Sequence, residues 1–70
     1  MLIELSAPEL MPELAERLVR SDCFVQVVDD RRCLVIHVQA HDAQEARREL
    51  SFFLRTWSTL HPGVEVSLVR

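Results

Sequence analysis

Hydrophobic and polar positions alternate at both ends of the chain and in two runs near its middle, and two longer amphipathic stretches separate these runs. The period-two alternation predicts strands over Leu2–Ser6, Cys23–Asp29, Arg32–Gln39 and Val64–Val69. Apolar residues three and four apart predict helices over Leu10–Arg20 and Ala43–Leu60. The order is β-α-β-β-α-β, and it uses nearly every residue of the chain.

This order resembles the split βαβ repeat of ferredoxin-like domains. The resemblance implies an α+β fold with one domain over residues 1–70, a four-stranded antiparallel sheet in the order 4-1-3-2, and two helices on one face of it. Enzymes, ligand sensors, RNA binders and assembly modules all share that layout, so it leaves the function open.

The same periodicities assign faces. In the first strand Met1, Ile3 and Leu5 alternate with Leu2, Glu4 and Ser6. In the first helix Leu10, Leu14 and Leu18, joined by Met11 and Val19, form the apolar stripe, and Glu9, Glu13 and Glu16 sit near the positive end of the helix dipole as a solvated face. Pro12 is accommodated only in a first turn, so the regular helix is expected to begin close to Leu10.

A turn centred on Asp30-Arg31 would oppose Val28 to Cys33, Val27 to Leu34, Val25 to Ile36 and Phe24 to His37. That register puts Cys23, Val25, Val27, Leu34, Ile36 and Val38 against the helices, and Phe24, Gln26, Val28, Cys33, Val35 and His37 on the opposite face. Asp42 with Glu45 three residues later gives the second helix a capping-box start. Ala46, Leu50, Phe53, Leu54 and Trp57 form its stripe, which leaves Phe52 pointing outward. His61-Pro62-Gly63 ends it, and Val64, Val66 and Leu68 face inward beyond.

Composition narrows the class of partner. Apolar residues make up 49% of the 70-residue chain and charged residues 27%, which fits a folded domain. A domain of this size hides only about 60% of its unfolded surface, so oligomerisation is a natural source of further stability. All eight basic residues are Arg, with Lys, Asn and Tyr absent, a bias expected of a GC-rich genome. The net charge of −3 lacks the basic footprint of nucleic-acid binders, so no nucleic-acid partner is expected. No apolar run reaches the roughly 18 residues that cross a bilayer, and Met1 precedes a strand without a leader pattern, so the expectation is a soluble cytoplasmic protein with no membrane partner.

Candidate chemistry is sparse. Cys33-x3-His37-x3-His41 has the look of a ligand row, but that spacing on a strand separates successive residues by about 13 Å, so no metal is expected. Cys23 and Cys33 fall on opposite faces in the register above and are expected to be free thiols, as in a reducing compartment. His37 and Glu4 are the one imidazole and carboxylate that could meet on the open sheet face, with no nucleophile or oxyanion motif beside them. Arg31-Arg32 and Arg47-Arg48 could grip an anion, yet each pair has acids next to it, and Gly63 is the only glycine, so phosphate-cradling loops are absent. No catalytic, cofactor or metal residues are assigned, and the chain is read as a non-enzyme.

The uncovered sheet face is the main feature. Leu2, Phe24, Val28, Val35, His37 and Val69 would share it with Cys33 and several polar residues, and a mixed apolar face on a small domain marks an interaction site. Phe52 is a second candidate contact. The expected function is a small interaction or assembly module, homodimeric through this face or docking another protein, and Val35→Glu is then expected to dissociate it. A ligand-sensing module and, more remotely, a small enzyme using His37 are the alternatives.

Size and element order also resemble ACT-type regulatory modules, which bind amino acids at dimer interfaces and usually carry glycine at the first strand-helix junction, here Leu5-Ser6-Ala7-Pro8. That resemblance implies a small-molecule ligand. Ile36-His37-Val38-Gln39-Ala40-His41-Asp42, with Arg47, Leu50 and Phe53-Leu54-Arg55, is similar to the strand-to-helix segment of a small subunit of the tRNA-modifying KEOPS assembly.

Overall fold

The computed structural model describes residues 1–69. Its elements are β1 (Leu2–Leu5), a 3-10 turn (Pro8–Leu10), α1 (Met11–Arg20), β2 (Cys23–Val27), β3 (Arg32–His37), α2 (Ala43–Thr59) and β4 (Val66–Leu68). The four strands form one antiparallel sheet in the order β2-β3-β1-β4, the 4-1-3-2 order of the sequence reading taken from the other edge. With its two helices this is an α+β fold.

Local chemistry explains where the helices start. The chain turns through Pro8–Leu10 before α1, so Pro12 sits at the second helical position, where its missing N–H has no intrahelical partner to lose. The Asp42 carboxylate accepts the Glu45 N–H at 2.8 Å and caps α2. At the other end of α1, Asp22 takes φ 63°, a left-handed conformation that Asp tolerates better than most residues, and the chain reverses there into β2.

Both helices contribute to a single core. Ile3, Leu5, Cys33 and Val35 from the central strands pack with Leu14 and Leu18 of α1 and Leu50, Leu54 and Trp57 of α2. Val64, Val66 and Leu68 are half-buried against the same cluster. Val19 is exposed instead of joining the α1 stripe, because at about 100° per residue it lies some 140° around the helix from Leu14.

The hairpin register differs from the expected one by a single residue. Cys23 pairs with His37, Phe24 with Ile36, Val25 with Val35, Gln26 with Leu34 and Val27 with Cys33. The cause is the loop. A two-residue turn at Asp30-Arg31 would need positive φ, and no glycine is there to provide it. The Asp29 carboxylate instead accepts the Arg31 N–H at 2.9 Å, and the Val28 and Asp29 amides both donate to the Arg32 carbonyl. Two residues on one strand thus oppose one on the other, as in a bulge. A slip of one residue exchanges the faces of β3. Cys33 and Val35 therefore enter the core, while Leu34, Ile36 and, just beyond the strand, Val38 turn outward.

Candidate functional site

The uncovered sheet face can be assembled row by row, because directly paired residues point the same way. Phe24 lies beside Ile36. In the next row Gln26, Leu34 and Leu2 run across β2, β3 and β1, with Val69 following, its amide donating to the Leu2 carbonyl at 2.8 Å. The third row is Arg32, Glu4 and Ser67, and Val28 stands beside Arg32 at the edge. Phe24 and Ile36 are 69% and 66% exposed, and Leu34, Val38, Val28 and Val69 are exposed around them. An apolar field thus occupies one end of the face, and a polar row closes the other.

Of the residues expected here, Leu2, Phe24, Val28 and Val69 lie on this face. Val35 does not: it is 1% exposed and belongs to the core, so Val35→Glu would disrupt folding and cannot report on this surface. His37 also lies on the helix side, directly across from Cys23, and is separated from Glu4 by the thickness of the sheet. The imidazole–carboxylate meeting is thereby ruled out. Both corrections follow from the register slip. Leu34 and Ile36 are the surface residues that the sequence reading missed, and the signal was Asp29, whose carboxylate accepts the Arg31 N–H and closes a three-residue loop, Asp29–Arg31, in place of the two-residue turn at Asp30-Arg31.

Phe52 is 70% exposed as expected, but it belongs to α2, on the opposite side of the sheet from the open face. It borders a cleft lined by Cys23, His37, Glu49, Phe53 and Thr56. The Nδ1 atom of His37 is buried there without a hydrogen-bond partner among the described residues. The Cys23 thiol donates to the Ser21 carbonyl at 3.6 Å, and burial, with a smaller effect of Asp22, pushes its pKa upward. Burial likewise raises Cys33. No positive group offsets burial at Cys23, and at Cys33 burial outweighs the opposing pull of the N-terminal ammonium, so neither thiol is set up as a reactive thiolate. They occupy the same face, contrary to the expected arrangement, and stand four residue steps apart along the strands, about 13 Å, as free cysteines.

The Arg pairs differ in their surroundings. Arg32 forks onto the Asp29 carboxylate through Nε at 2.9 Å and Nη2 at 2.7 Å, an interaction that lowers the Asp29 pKa and raises that of Arg32. Glu4, Asp30 and Glu65 border the same depression at the hairpin end, where an anion would meet net negative charge. Arg47 and Arg48 join none of the ion pairs among the described residues, which are Arg20–Glu16, Arg32–Asp29 and His61–Glu13. Among those residues no group of three or more metal-binding side chains comes together, and no helix is long and apolar enough to cross a membrane.

His61, read from sequence only as a helix stop, links the two helices. Its Nε2 lies 2.8 Å from a Glu13 carboxylate oxygen and its Nδ1 3.0 Å from the Trp57 carbonyl, with the ring stacked on Trp57 at 4.1 Å. Comparison of the chain with protein-family models, curated proteins and solved structures gives no match.

Proposed function

We propose that this chain is a non-enzymatic assembly module of ferredoxin-like type, and that its open sheet face packs against a second copy. The supporting observation is the adjacent pair Phe24 and Ile36, both about two-thirds exposed and surrounded by further apolar side chains. Contiguous apolar surface of this kind marks interaction sites on small domains. Covering a Phe or Ile side chain contributes about 1.5–3 kcal/mol, a substantial gain for a chain with so small a core. The Arg32–Glu4 row supplies orientation: a two-fold contact can set each copy's Arg32 against the other's Glu4. The two free thiols accord with a reducing, cytoplasmic setting.

Ile36→Glu tests this reading, because it places a charge in the patch without touching the core. The expected result in sedimentation velocity is weaker self-association than the parent's with an unchanged far-UV circular dichroism spectrum. An Ile36→Glu chain that associates like the parent would show that the contact lies elsewhere.

A second reading, binding of a small molecule in the α2 cleft, is favoured by the unpartnered Nδ1 of His37. Glu49 on the rim and the absence of Arg from the lining favour a neutral or amine-bearing ligand over an anion. A thermal-shift screen with amino acids and amines tests it: a rise in melting temperature that His37→Ala abolishes supports the cleft, and a flat screen counts against it.

A further inference from the structure

β2 is an outer strand, and its hydrogen-bond parity determines what its free edge offers. Val28 donates to the Arg32 carbonyl at 2.9 Å and Val38 to the Asp22 carbonyl at 3.0 Å, at the two ends of the hairpin. Bonded and non-bonded pairs alternate between these ends, so Phe24 and Gln26 bond inward to β3. The amides and carbonyls of Cys23, Val25 and Val27 therefore point away from the sheet. Natural edges are usually blunted by shortness, lysine, proline, an inward charge or a bulge. β4, the other edge, has only three residues. β2 has five, Cys-Phe-Val-Gln-Val, with none of these devices inside it.

The side chains point to the same gap. Phe24 and Val28 are exposed on the open face, whereas Val27 is exposed on the helix-covered face. A partner lying on the open face would cover the first two and leave Val27 in water. A strand added beside β2 covers apolar groups on both faces.

We propose that the free edge of β2 pairs antiparallel with β2 of a second copy about a two-fold axis at Val25, joining the two sheets into one of eight strands. The strand is its own complement in that register. Val25 meets the partner's Val25, Cys23 meets the partner's Val27, and Phe24 meets the partner's Gln26, so every outward backbone group finds a partner. A shift of two residues would leave some of them unpaired. This contact goes beyond the face-to-face contact proposed above and uses a different surface.

Cross-linking of the full chain tests the register. Residues opposite each other in a bonded antiparallel pair have Cα atoms about 5.5 Å apart, inside the disulfide range. Under mild oxidation Val25→Cys is expected to give mostly covalent dimer, while the parent and Val66→Cys, on the β4 edge, give little. Val27→Pro removes an outward amide at an exposed side chain and is expected to weaken association at least tenfold with unchanged circular dichroism. Cross-linking of Val25→Cys no greater than that of Val66→Cys, or parent-like association of Val27→Pro, would overturn the edge contact. Adding Ile36→Glu to Val25→Cys separates the two surfaces. A cross-link that survives in the double variant supports the edge whatever becomes of the open face. Its absence, with association lost, assigns the contact to the open face and overturns the edge.

Discussion

Val35 and Ile36 are neighbours in the chain with opposite environments, one in the core and the other two-thirds exposed. Glutamate at the two positions should therefore give different failures. Val35→Glu places an unpaired charge among Ile3, Cys33 and Leu50, and an unfolded or severely destabilised chain is expected by circular dichroism. Ile36→Glu should keep the native spectrum. The two cysteines supply a second residue-scale expectation. Burial raises both thiol pKa values, so neither should react appreciably with iodoacetamide at pH 8 until denaturant is added. A group whose pKa is raised by folding contributes stability that is present below its unfolded value and lost as pH rises through the folded one. The urea midpoint should thus decline above about pH 8.5, the ordinary thiol value, and less so in Cys33→Ser measured against its own value at neutral pH.

At the level of elements, the helices were legible and the sheet only partly so. Leu14, Leu18, Leu50, Leu54 and Trp57 repeat with a single helical period, and Asp42 signals its own cap. Asp42→Ala should cost about 1 kcal/mol in urea unfolding, the usual worth of an N-cap, and an unchanged midpoint would mean the cap is redundant. The strand order was also readable, since the element succession leaves few arrangements for so short a chain. The faces of β3 were not. Leu34, Ile36 and Val38 are as apolar as Cys33 and Val35, so alternation alone could not say which set faces the helices. That choice belongs to the hairpin loop, where one Asp29 side-chain bond shifts the register and carries Val35 and His37 to the core side. The surface was thus legible as a region through Phe24, Leu2 and Val69, but not in its central β3 members. The His61 link was hidden for a different reason: Glu13 lies 48 residues away, and no local pattern joins them.

For the whole molecule, one core holds the helices on the sheet and the His61–Glu13 contact ties the end of α2 to α1; most of the exposed large apolar residues lie on the open face and along β2, with Val19, Phe52 and Leu60 exposed on the helix side. Both surfaces are suited to a second copy, and they are separable: Ile36→Glu acts on the face and Val27→Pro on the edge. Association should strengthen with salt if the apolar field dominates, because exclusion of salts such as sulfate from protein surfaces favours burial. It should weaken if the Arg32–Glu4 row dominates, because exposed charges are screened. The most direct measurement is the molar mass of the unmodified chain by size-exclusion chromatography with light scattering. A mass at least twice the 8.1 kDa of one chain, falling on dilution and in Ile36→Glu, is the expected result. A mass of 8.1 kDa at every accessible concentration would contradict self-association through either surface.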